Sequence, residues 1–149
     1  MLAAMSIASF PSLAVFADRL VPEGSFAETQ AAFLAPDTDT VATLDRLVRD
    51  KNVGIVAHYY MDPELQGVLS RLTWPHVWIS DSLLMADQAV KMAEAGVKRV
   101  VVLGVDFMSE NARAMLDAGG FQRVPVYRVA ADPIGCSLAE AADSLTYSA

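Results

Sequence analysis

Four short runs of this sequence carry side chains able to move protons, hold an anion or bind a metal: His58-Tyr59-Tyr60, Ser80-Asp81-Ser82, Gly104 with Asp106-Phe107, and Gly135-Cys136. An imidazole followed by two phenols offers positioned acids and bases. A serine at a helix start, such as Ser82, adds a hydroxyl to free backbone N–H groups and the positive end of the helix dipole, a setting that favours carboxylate or phosphate. Cys136, the sole cysteine, has no intrachain disulfide partner and is either inert core or chemistry. Each run also has a plainer reading: His58 as a packed, hydrogen-bonded residue, Ser80 and Asp81 as helix caps, and Asp106 as the start of a helix. Their coincidence weighs against the plain readings, because all four follow stretches that read as strands. His76, beside Trp74 and Trp78, reads as an amphipathic side chain covering apolar surface, and both tryptophans and the seven methionines as core or interface packing.

The elements that must position these runs alternate. Residues 40–50 put Val41, Leu44, Leu47 and Val48 on one helical face, and Val53-Gly-Ile-Val-Ala57 is a short buried strand. Asp62-Pro63-Glu64 combines an N-cap residue, a proline at the first helical position and an acid in the first turn, so a helix runs through Leu65, Val68, Leu69 and Leu72. A second strand is expected at 76–79, then a helix through Leu84, Ala86, Ala89, Val90 and Ala93 that stops at Gly96. A third strand at 99–103 leads to a helix at 108–118, ended by Gly119-Gly120. A fourth strand is expected at 124–129, with Pro125 hinting at an edge, and a short helix at 137–143. This alternation implies an α/β, three-layer domain with a four-stranded parallel sheet and right-handed crossovers. Open parallel sheets bind ligands at the carboxyl ends of their strands, where all four runs fall.

The first 37 residues read as a lead-in segment, partly helical and loop-rich at 21–25, and residues 38–149 as the α/β domain. Residues 2–17 carry no charge but are too short to span a bilayer, are interrupted by Pro11, and lack the basic start of a secretory signal. Eleven basic against 18 acidic residues give a net charge of −7, which argues against nucleic acid as a partner. Apolar residues make up 54% of the chain and charged ones 19%, with mean hydropathy +0.33, so a large core is expected and part of the apolar surface is expected to face a further domain. Neither a phosphate-binding loop, nor a dinucleotide fingerprint, nor a nucleophile elbow is present. An acidic phospho-acceptor site fails as well, because the first strand ends in His-Tyr-Tyr rather than acids.

The strings Ala57-His-Tyr-Tyr-Met-Asp-Pro-Glu64, Ile79-Ser-Asp-Ser-Leu83, Gly104-Val-Asp-Phe-Met-Ser-Glu110 and Gly135-Cys-Ser-Leu138, in this order, resemble quinolinate synthase, most closely its plant and algal branch. The resemblance implies the first of three similar α/β domains around a central site. It also implies an enzyme of NAD biosynthesis that condenses iminosuccinate with dihydroxyacetone phosphate to quinolinate, with a 4Fe-4S cluster whose open iron acts as a Lewis acid. Position by position, it makes Cys136 one of three cluster cysteines, His58 and Ser82 holders of substrate carboxylates, Tyr60 a proton-transfer group, and Phe107 and Met108 pocket lining. One cysteine where three are needed, and a chain ending after one domain, imply a fragment that is inactive alone and lacks downstream domains. The expected setting is intracellular, in a plastid for a photosynthetic eukaryote and otherwise in the cytoplasm, with no membrane partner. The competing reading is a non-catalytic, flavodoxin-like module that binds an anion or docks a partner.

Overall fold

The computed structural model describes residues 11–132 and 134–136. Two short antiparallel strands come first, β1 (Ser12–Val15) and β2 (Leu20–Glu23), and helix α1 (Ser25–Leu34) follows them. The α/β part comprises α2 (Thr38–Lys51), β3 (Val53–His58), α3 (Pro63–Ser70), β4 (Val77–Ser80), α4 (Ser82–Glu94), β5 (Arg99–Leu103), α5 (Asp106–Ala118) and β6 (Val126–Arg128). The second sheet is parallel throughout, in the order β4-β3-β5-β6. The α/β class and four-stranded parallel sheet read from the sequence are therefore present, and β6, with Pro125 just ahead of it, is an edge strand.

Side chains alternate between two faces and both faces are covered by helices, which explains why the strands read as continuous apolar runs. Val56, Val100 and Val102 face α4 and α5, where Met85, Ala89, Met92, Ala112 and Leu116 complete one core. Ile55, Ala57 and Leu103 face the opposite way, toward Val48 of α2 and Leu69 of α3. Caps set the helix starts. The Asp37 carboxylate accepts from the Thr40 N–H at 2.8 Å, Asp62 from Glu64 at 2.8 Å, and Asp81 from Leu83 and Leu84, both at 2.9 Å. Helix α1 lies on α3 so closely that a Cβ on Gly67 would come within 2.7 Å of the Phe33 carbonyl oxygen, which fixes glycine there.

Several details differ from the sequence reading. The lead-in holds a hairpin, closed by the Phe16 N–H bonded to the Arg19 carbonyl at 2.9 Å, that its short four-residue strands did not announce. Helix α5 starts at Asp106 rather than Met108, since the Met108 N–H already bonds the Val105 carbonyl and the Ser109 hydroxyl bonds the Asp106 carbonyl at 2.7 Å. Strand β6 is three residues long, because Val124 is drawn into a turn by its N–H bond to the Phe121 carbonyl. Trp78, on edge strand β4, is 46% exposed and so lies outside the core. The helix expected at 137–143 lies outside the described residues. No helix among them is long and apolar enough to cross a membrane.

Candidate functional site

Because all four strands of the second sheet run parallel, their carboxyl ends form one edge, and the order reverses between β3 and β5. That is where an open α/β sheet leaves a crevice. His58 ends β3 in register with Ser80 of β4, and Gly104 follows β5. A Cβ built on Gly104 would stand 3.7 Å from the His58 Cβ and 2.6 Å from the Met108 sulfur, so glycine lets the three elements close up at this point.

His58 is buried, 7% exposed, while Tyr60 beside it is 80% exposed. The three rings form one cluster: His58 stacks on Tyr59 at 4.8 Å, and Tyr60 meets both edge-on at 4.7 Å. The Tyr60 N–H donates to His58 Nδ1 at 3.3 Å, and this bond assigns the ring proton to Nε2 and leaves Nε2 as the donor. Burial holds the His58 pKa below its ordinary value, with Asp81 pulling weakly the other way, so the ring is neutral at neutral pH. The side-chain hydrogen bond to Tyr60, followed by that residue's charge and by burial, raises the Tyr59 phenol. The turn carrying the rings is held by Gln66 of α3, whose amide donates to the carbonyls of Tyr59 at 3.0 Å and Met61 at 2.6 Å. Sequence reasoning missed Gln66, since a glutamine in the second turn of a helix carries no signal of its own.

Ser82 is the first residue of α4, one strand away. The Asp81 carboxylate occupies the Leu83 and Leu84 amides at this helix start, so an anion here would meet the serine hydroxyl beside a negative cap. Phe107 is 42% exposed at the start of α5, whereas Met108, 6% exposed, belongs to the core beneath Gly104. A cleft of about 240 Å³ opens between the His-Tyr-Tyr turn and the end of β6, lined by Met61, Leu65, Gly104, Asp106, Arg128 and Ile134. Arg128 was also missed; on an edge strand its type suggests only solvent. A larger groove of about 490 Å³, at the junction of α1 and α2, contains none of the candidate residues.

Cys136 is half-buried, two residues beyond Ile134 at the same edge. A thiolate is a soft ligand for iron. Among the described residues no three His, Cys, Asp or Glu side chains come together.

Residues 42–149 match the family model described as quinolinate synthetase A protein. The chain is 58% identical over 140 residues to a chloroplastic quinolinate synthase of Nicotiana tabacum, covering 93% of this chain and 19% of the tobacco protein. It is 56% identical over 141 residues to the chloroplastic quinolinate synthase of Oryza sativa subsp. japonica, covering 93% and 20%. The quinolinate synthase of Rippkaea orientalis is 32% identical over 102 residues, covering 68% of this chain and 26% of that protein. The chain thus spans about a fifth of the length of these plant relatives.

Proposed function

The chain belongs to the quinolinate synthase family, and on that premise we propose that it supplies one wall of a site where iminosuccinate and dihydroxyacetone phosphate condense to quinolinate. The observation that supports this most is the gathering of His58, Tyr60, Ser82 and the Cys136 segment at one sheet edge, around the point where the strand order reverses. His58, neutral with its proton on Nε2, donates a hydrogen bond to a substrate carboxylate without adding charge. The Ser82 hydroxyl donates to a second carboxylate oxygen. Tyr60, exposed beside His58, carries a phenolic proton to and from the carbon skeleton during tautomerisation and dehydration. Phe107 and the Met108-backed Gly104 form apolar lining that keeps water from the reacting atoms. Cys136 is one ligand of a 4Fe-4S cluster, which when bound supplies a Lewis-acid iron. The remaining walls and ligands come from further domains of the family's longer chains, and a plastid is the proposed compartment, as for the relatives named chloroplastic.

The test is turnover of the two substrates by a full-length protein carrying this chain. Tyr60→Phe should keep bound iron and lose about 10²–10⁴ in kcat, the usual span for a general acid–base group. Unchanged kcat in a folded, iron-loaded Tyr60→Phe protein would remove Tyr60 from the chemistry. Binding of a small diacid or phosphate by the 149-residue chain alone, with no turnover in the longer protein, would favour an anion-binding module instead.

A further inference from the structure

Outside the ring cluster, Asp106 makes contacts that the proposed reaction does not use. It is the first residue of α5, yet no side chain caps that helix. Its carboxylate instead pairs with Arg128 Nη1 on β6, and its backbone N–H donates to the Ile134 carbonyl at 2.9 Å. One residue therefore joins the start of a helix, the end of the edge strand and the segment that carries Cys136. Among the described residues, no other backbone–backbone hydrogen bond ties residues 130–136 to the rest of the fold, and the Asp106 carboxylate also accepts from the Ile134 backbone N–H, which leads the interactions that hold its pKa low. The pair is partly sheltered, with side chains 29% and 38% exposed, and the carboxylate also lies at the favourable end of the α5 dipole. Strand β6 and helix α5 are already fixed by their own ladders. What the pair adds is restraint on the loop between Arg128 and Cys136.

We propose that the Asp106–Arg128 pair is a positioning clamp that holds the Cys136 segment against the carboxyl edge of the sheet, so that the thiol stands in place before any metal arrives. The role of that thiol rests on the reading above; the clamp itself does not. Both residues are positioning residues, acting through Ile134 on Cys136.

Cys136 is the only cysteine in the 149 residues, so its alkylation by iodoacetamide under native conditions reads this segment alone. Asp106→Asn and Arg128→Met should each raise the alkylation rate about two- to fivefold, the ratio expected from losing a partly exposed ion pair. The double variant should add little to the larger single effect, and Arg128→Lys should restore most of the protection. Asp117→Asn, which breaks the Arg113–Asp117 pair on the same helix, should change nothing. Circular dichroism and thermal unfolding verify that each variant is folded. A field effect on the thiol would act with opposite sign in the two variants, faster on loss of the carboxylate and slower on loss of the guanidinium, because thiolate is the reactive form. Opposite signs, unchanged rates in both folded variants, or additive effects in the double variant would each overturn the clamp. The assay needs no metal, so it is separable from iron binding. Faster alkylation with iron retained in Cys136→Ser would uphold the clamp and remove the cysteine from the ligand set. Unchanged alkylation with iron lost would do the reverse.

Discussion

The two ends of the parallel sheet are built on opposite terms. At the amino end, polar groups are spent on holding strands in place. Asp45 accepts from the Thr73 and Trp74 N–H groups at 2.7 and 2.9 Å and pairs with Arg49. Asn52, in the left-handed conformation at φ 51°, ends α2, accepts from the Lys98 N–H and donates to the Gly96 carbonyl. Trp74 Nε1 donates to the Val53 carbonyl at 2.8 Å. At the carboxyl end, Tyr60, Leu83 and Phe107 are exposed, and the polar contacts there, Gln66 to the Tyr59 and Met61 carbonyls and Arg128 to Asp106, bear on loops rather than on strands. Fastened strand starts fix the scaffold, which leaves the opposite loops free to be chosen for binding. Exposed apolar side chains along that edge are also what a domain shows when further protein closes over it.

Substitutions in the core and at either end of the sheet separate the two roles. The largest effect on stability belongs to neither edge but to the core between them: Leu116→Ala should cost about 2–5 kcal/mol in urea unfolding, whereas Leu83→Ala, at 77% exposure, should stay within about 0.5 kcal/mol. A comparable loss at Leu83 would mean that the carboxyl edge is structural after all. Next comes Asp45→Asn, which should lower the melting temperature at neutral pH while Tyr60→Phe leaves it unchanged. The hydrogen bond to Arg49 leads the interactions that depress the Asp45 pKa from 3.8 to about 2. A depressed carboxyl stabilises the folded state above its unfolded pKa, so the wild-type advantage over Asp45→Asn should be full above pH 4 and vanish as pH falls toward 2. An advantage independent of pH across that window would assign the effect to packing. The smallest effect is local. In proton NMR of the two histidines, His58 should titrate below 6.5, and Asp81→Asn should move it lower still, since Asp81 favours the charged ring. Because the unfolded chain takes up that proton first, His58 contributes a loss of stability as pH falls below 6.5. A His58 midpoint above 6.5 would contradict the buried, neutral ring.

Much of this was readable in the residues themselves. Asp62 and Asp81 announce helix starts because a cap is a local event, decided within three residues. Strands β3 and β5 announce themselves because burial on both faces leaves unbroken apolar runs. Once these elements are placed, the edge bearing His58, Ser82, Asp106 and Cys136 follows from parallel topology. The hairpin β1–β2 was hidden because its strands are four residues long and neither face is fully buried, so no alternation marks them. Gln66 and Arg128 were hidden for another reason. Their partners lie 5 to 22 residues away on other elements, and nothing in their own neighbourhood distinguishes them from solvated side chains.

The most direct test of the central claim, that this sheet edge carries one ligand of an iron–sulfur site, is the iron and acid-labile sulfide bound per chain in a full-length protein bearing Cys136→Ser, beside the same protein with Asp117→Asn. Stable iron and sulfide are expected in the second protein and their loss in the first, with both folded. Equal iron and sulfide in the two would contradict it.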